Sequence, residues 1–191
     1  MISKNGSKHV VAEADNLVIR CASPNEIDRI VEIYLHVVQG EYISHGEVLD
    51  GITRDFHSQA PDLCKQKTEE FCSIISGQET EKSILVALEK SEVIGFLFGG
   101  IERNTREGAP LVASIYDLGV MESYRGHGIG RKLMEAFIRW AREKGAIWVF
   151  FESGVNNKNA HRLFHKLGFT LTSHVFMMPL DESLAMPDKL E

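Results

Sequence analysis

The stretch that most constrains this chain runs Tyr124-Arg125-Gly126-His127-Gly128-Ile129-Gly130-Arg131-Lys132-Leu133. It follows an apolar, strand-like run over Leu111–Met121 and leads into Ile129, Leu133, Met134, Phe137, Ile138 and Ala141, which recur at helical spacing. A strand must therefore turn through a glycine loop directly into an amphipathic helix. The loop amides then lie at the positive end of that helix, a setting suited to a phosphate or pyrophosphate. The Walker string G-x-x-x-x-G-K-[ST] is absent, and glycines at 126, 128 and 130 do not have the G-x-G-x-x-G spacing of a dinucleotide fold.

The charge distribution agrees with an anionic ligand at this point. The net charge of −6 over 191 residues argues against nucleic acid as a partner. Residues 1–100 hold 9 Lys/Arg against 16 Asp/Glu, whereas residues 125–166 hold 9 Lys/Arg against 3 Asp/Glu. A basic segment that begins at the loop suits a polyphosphate, and an acidic first half suits a cationic acceptor. No 18-residue apolar run is present, so no membrane span is expected. Residues 1–16 are polar without an apolar signal core and are expected to form a flexible tail, as is 181–191, with one domain over 17–180. Cys21, Cys64 and Cys72 are odd in number and, like the eight histidines, show no metal-ligand spacing. They read as reduced cysteines of a cytoplasmic protein without a metal.

Along the chain, Leu17–Cys21 reads as a strand. Ser23-Pro24-Asn25-Glu26 has the marks of a helix start, with Ile27, Ile30, Val31, Tyr34, Leu35 and Val38 forming one apolar face. Residues 40–60 lack periodicity and read as a long loop or short broken helices. A helix over Asp62–Ser76 follows, then strands over Ser83–Glu89 and Glu92–Ile101 joined by a turn at Lys90-Ser91. After the glycine loop and its helix, Ala146–Glu152 reads as a buried strand, Asn156–Leu167 as a short helix, and Phe169–Met178 as a last strand. The order implies an α/β fold, a mixed central sheet flanked by helices.

Two separated motifs now act together. Arg125, Gly128 and Gly130 meet R-x-x-G-x-G, and Asn157, Ala160, Leu163, Lys166, Gly168 and Phe169 meet N-x-x-A-x-x-L-[YF]-x-K-x-G-F. With Leu118-x-Val120 before them, this segment of about residues 111–170 resembles the GCN5-related N-acetyltransferase (GNAT) family. The resemblance implies a mixed, mostly antiparallel central sheet flanked by helices, and acetyl-CoA as donor. The amides of Gly126, His127, Gly128, Ile129, Gly130 and Arg131 would hold the pyrophosphate, aided by Arg125, Arg131 and Lys132. The backbone of Leu118, Gly119 and Val120 would pair with the pantetheine arm like an added strand. Asn157, Ala160 and Phe164 would complete the cofactor-binding set.

The same resemblance implies direct transfer to a primary amine of a small molecule or peptide. A backbone N–H at Val120 would stabilise the thioester oxygen. The family's usual acid is a tyrosine, but its position here is Phe164, which has no proton to give. Ser114 and Tyr116 match positions where family bases lie, and strand alternation places both on one face, so Tyr116 becomes the candidate acid or relay. The same rule sends Asp117 to the opposite face unless a bulge shifts the register. Glu41, His45 and Glu47, in the acidic segment after the first helix, are the candidate contacts to a cationic acceptor. Ile115-Tyr116-Asp117-Leu118 is similar to a strand of aminoglycoside 3-N-acetyltransferases, which stands as an alternative acceptor class. A non-catalytic CoA-binding sensor is the alternative that Phe164 favours. A homodimer is the simplest symmetric assembly, although no residue specifies one.

Overall fold

Six strands form one sheet in the order of the chain. They are β1 (Val10–Ala14), β2 (Leu17–Cys21), β3 (Lys82–Glu89), β4 (Glu92–Glu102), β5 (Val112–Val120) and β6 (Trp148–Phe151). Neighbours pair antiparallel from β1 to β5, and β5 pairs parallel with β6. The helices are α1 (Ile27–Val37), α2 (Phe56–Ile75), α3 (Ile129–Glu143) and α4 (Lys158–Lys166). This computed structural model describes residues 10–14, 16–37, 56–103, 106, 108–178 and 180. The chain divides into two compact units, residues 1–37 with 60–151 and residues 38–59 with 152–191, so the expected domain over 17–180 spans both.

The first unit contains the sheet. Phe96 and Phe98 of β4 meet Phe71 of α2 edge-on, with ring centroids 6.2 and 5.4 Å apart. Ile33 of α1 lies on this same face, next to Gly119 and Phe96. The opposite face takes α3, whose Phe137 is fully buried against Gly99. Alternation along β4 explains the division, because successive side chains point to opposite faces. The β3–β4 turn is tight: Lys90 and Ser91 have φ of 48° and 70°, the left-handed pair that a two-residue type I′ hairpin requires.

The start of α1 is fixed electrostatically. Arg20 of β2 grips Glu26 through two contacts, Nη2–Oε1 at 2.5 Å and Nη1–Oε2 at 2.9 Å. Glu26 Oε2 also accepts the Ser23 amide at 2.7 Å, which fulfils the helix-start signal. Burial acts to raise the Glu26 pKa, but Arg20 and the Ser23 amide together hold it below the ordinary carboxylate range.

Four expectations are corrected. Residues 10–14, assigned to a tail, pair with β2 as a strand. The strand after α3 is shorter than expected and is an exposed edge: Trp148 and Phe150 are 65% and 51% exposed. An apolar run gives strand propensity but does not say whether a second layer covers it. Residues 169–178 form no strand, and Leu171, Val175, Phe176 and Met178 are exposed. Among the described residues no strand pairs with them. The second helix begins at Phe56, six residues earlier than expected, with Pro61 inside it.

Two outcomes follow. At Gly99 a Cβ would stand 2.5 Å from both the Ser114 carbonyl oxygen and Phe137 Cζ. Gly99→Ala should therefore destabilise by about 1–3 kcal/mol and lower the Tm by several degrees; an unchanged Tm would contradict this packing. Because the folded pKa of Glu26 is depressed, its contribution is complete above the unfolded value and is lost as pH falls through the folded one. Glu26→Gln should lose less Tm than the parent between about pH 6 and about pH 3; parallel acid titrations would count against the pair.

Candidate active site

The site begins with one extra residue in β5. The register pairs Phe98 with Asp117 and Gly99 with Ile115, so Tyr116 is left as a β-bulge. The pairing of β5 with β6 covers only Val112 to Ile115 and stops at Ile115–Phe151. Beyond that fork, no strand pairs with the outer edge of residues 116–120 among the described residues.

The direction of the free peptide groups follows from the ladder. The Met121 amide donates to the Ile94 carbonyl at 3.0 Å, continuing the register in which Gly95 faces Val120. Hydrogen-bonded and non-bonded pairs alternate in an antiparallel ladder. The peptide groups of Asp117 and Gly119 therefore face β4, and those of Leu118 and Val120 face the open edge. Arg125 Nε reaches the Val120 carbonyl at 3.1 Å, as an outward carbonyl permits.

The glycine loop continues from that edge. Gly126 and Gly128 have φ of 82° and 78°, and a Cβ at either would meet nothing within 4 Å. The positions are thus conformationally demanding and open to a ligand. Lys132 is the first residue of α3 whose amide has a helical acceptor, Gly128 at 3.1 Å. Among the described residues the amides from Gly126 to Arg131 donate to nothing, as expected for the first turn of a helix. The expected loop residues therefore come together around one exposed cradle of N–H groups, which fits a pyrophosphate. Arg125 and His127 are exposed and Lys132 is partly buried, while Arg131 is tied to Glu135 at 2.8 Å.

On the α1/α2 face, beside the fork, lies a charged cluster. The Tyr116 hydroxyl donates to Glu102 Oε1 at 2.6 Å, and its ring rests 4.8 Å from that of Phe98. Asp117 accepts from Lys67 Nζ at 3.4 Å, and Lys67 also lies 5.6 Å from the Phe98 centroid. Tyr116 and Asp117 thus share one face, contrary to simple alternation, because the bulge inserts a residue between them and the regular pairing. Lys67 extends the cluster to Glu70 at 3.0 Å, and Lys82 joins Glu70 at 3.7 Å to Glu79 at 2.9 Å.

Burial works against the charge on Lys67, but Asp117, Tyr34 and Glu70 outweigh it and raise its pKa above the ordinary lysine range. Its ammonium also lies 5.0 Å from the Tyr34 ring and 5.9 Å from that of Phe71, which favours the cation. Burial, and then the hydrogen bond to Glu102, push the Tyr116 phenol above its ordinary range. It therefore remains protonated at neutral pH.

Ser114 is only 3% exposed, and its hydroxyl has no hydrogen-bond partner among the described residues. In the second unit, Asn157 caps α4: its Oδ1 accepts the Ala160 amide at 3.3 Å. Phe164 packs its ring 6.4 Å from Phe169. Glu41, His45 and Glu47 lie outside the described residues. Sequence reasoning overlooked Glu102 and Lys67. A signal for Lys67 existed, since it falls between Leu63 and Phe71 at spacings of four, which puts the three on one helical face. None existed for Glu102, which meets Tyr116 only through the pairing of β4 with β5.

The comparisons with known proteins agree with this geometry. The family model described as "Acetyltransferase (GNAT) family" matches residues 47–169. The uncharacterized N-acetyltransferase YhdJ of Bacillus subtilis is 34% identical over 104 residues, which are 53% of this chain and 72% of that one. A mycothiol acetyltransferase of Amycolatopsis mediterranei is 33% identical over 92 residues, 47% of this chain and 31% of its own length. The chain therefore spans less than a third of that relative. In fold, an acetyltransferase of Trypanosoma brucei superposes with a TM-score of 0.60 at 22% identity, covering 86% of this chain and 99% of that one. With the family model covering well over half of its length, the chain belongs to the GNAT family and is an N-acetyltransferase.

Proposed function

We propose that this protein moves the acetyl group of acetyl-CoA directly to a primary amine of a small molecule or peptide. The observation that carries the reading is continuity. The unpaired amides of Gly126 to Arg131 lead straight to the outward peptide groups of Val120 and Leu118, and these lead to the fork at Ile115–Phe151. A pyrophosphate in the cradle would send its pantetheine arm along the open edge of β5 as an added strand. Arg125, with Arg131 and Lys132 nearby, adds positive charge at the phosphate end. The outward N–H of Val120, and that of Leu118 two residues nearer the fork, are donors for the arm and the thioester oxygen. Acetyl-CoA supplies the activated acyl group. The arm then ends beside Tyr116, where an amine can approach from the α1/α2 face. The free thiols of Cys21, Cys64 and Cys72 support a reducing, cytoplasmic setting.

Phe164 supports one competing reading, a CoA-binding sensor without turnover, because it lacks the hydroxyl of the family's usual acid. Thiol release separates the two. With acetyl-CoA and a panel of primary amines, the transfer reading expects free thiol with at least one acceptor, and a sensor releases none. Gly128→Glu would set a carboxylate at the loop and force a side chain onto a φ of 78°. It should weaken acetyl-CoA binding roughly 100-fold or more by calorimetry, through like-charge repulsion with the phosphates; retained affinity would overturn the loop assignment.

A further inference from the structure

The carboxylates near Tyr116 differ in what they hold. Asp117 is paired with Lys67, Glu70 with Lys67 and Lys82, and Glu79 with Lys82 and Ser73. Among the described residues Glu102 has no cationic partner, and its hydrogen bond comes from the neutral Tyr116 hydroxyl at 2.6 Å. Gly100 keeps the path between the two clear, since a Cβ there would stand 3.1 Å from Tyr116 Oη. Tyr116 is 40% exposed and Glu102 is exposed, so the pair opens to solvent at one end. At the other end, Tyr116 sits one residue past the last β5–β6 pair, beside the fork.

We infer that Glu102, acting through the Tyr116 hydroxyl, is the proton acceptor for the incoming amine, an inference that rests on the acetyl-transfer reading above. An acceptor that arrives as an ammonium gives one N–H proton to Tyr116 Oη while the phenolic proton moves to Glu102 Oε1. This leaves a neutral amine and a protonated carboxyl. The nitrogen lone pair forms the new C–N bond, and the C–S bond breaks with its electron pair on sulfur. A second nitrogen proton accompanies the sulfur as free thiol, and the amide keeps the third. Glu102 returns its proton to solvent. The charged groups facing the phenol are Lys82 of β3, 6.0 Å from its ring, Glu70 of α2, and Glu79 in the turn after α2. Burial, the hydrogen bond to Glu102 and the negative charges of Glu70 and Glu79 keep the phenol from resting as a phenolate, which suits a group that passes a proton on without storing the charge.

The test uses the full chain, acetyl-CoA and a primary amine that yields thiol in the panel above. It compares Glu102→Gln, Tyr116→Phe and the double variant, with kcat/KM followed against pH, acetyl-CoA affinity by calorimetry, and Tm. Each single variant should lose roughly 10²–10³-fold in kcat/KM near neutral pH, within the range of general-base help. Acetyl-CoA affinity and Tm should not change, and the double variant should be no worse than the worse single, since the two act as one unit. The deficit should shrink as pH approaches the pKa of the free amine, because solvent then delivers neutral amine. Glu81→Gln, which breaks only the exposed pair with Arg103, should keep the parent rate. An active parent with an equally active Glu102→Gln, losses that add in the double variant, or a deficit independent of pH each overturn the relay alone. A parent that binds acetyl-CoA yet releases no thiol with any amine overturns the transfer reading, and the relay with it.

Discussion

The bulge at Tyr116 is the constraint from which the rest of the site follows. One extra residue in β5 breaks the register between Phe98 and Gly99, and with it the strict alternation of side chains. The parallel partner β6 follows β5 only to Ile115, and the edge beyond is left with outward peptide groups at Leu118 and Val120. A continuous β5–β6 ladder would have consumed those groups. The bulge also turns Tyr116 and Asp117 toward α1 and α2 together, so chemistry gathers on one face at the point where the edge opens.

The surrounding core holds this local irregularity in place. Gly99 and Gly119 are glycines because Phe137 and Phe96 stand where their side chains would be, on opposite faces of the sheet. The helices thus pack directly on the two strands that frame the bulge. Lys67 adds an electrostatic tie from α2: its partly buried ammonium, set among Tyr34, Phe71 and Phe98, pins Asp117 at the bulge itself. Among the described residues of this face, Asp117, Glu70 and Glu79 are each paired with a lysine, whereas Glu102 takes its hydrogen bond from Tyr116.

Much of this was legible in the chain. Strand, glycine loop and helix came from periodicity and from the positions of Gly126, Gly128 and Gly130, and the left-handed φ at Gly126 and Gly128 agrees with that reading. The hairpin at Lys90-Ser91 and the capped turn Ser23–Glu26 that leads into α1 were also readable, because turns and caps are decided by neighbours in sequence. Strand existence was readable where a partner lay ready and failed where pairing was the question. Val10–Ala14 gained a partner in β2, while residues 169–178, read as a strand, pair with none among the described residues. Asn157 was read as a ligand contact, and the structure adds a local duty as the cap of α4.

The sequence by itself determined the glycine loop, the class of fold and the family, since each rests on residue types at fixed spacing along the backbone. It also placed Phe164 where the resemblance would set a tyrosine. Only the tertiary structure decided which acidic and basic side chains meet. Tyr116 reaches Glu102 across a bulge, and Lys67 reaches Asp117 from fifty residues away. Neither contact follows from periodicity, because a bulge resets the register by one residue and no local rule announces it.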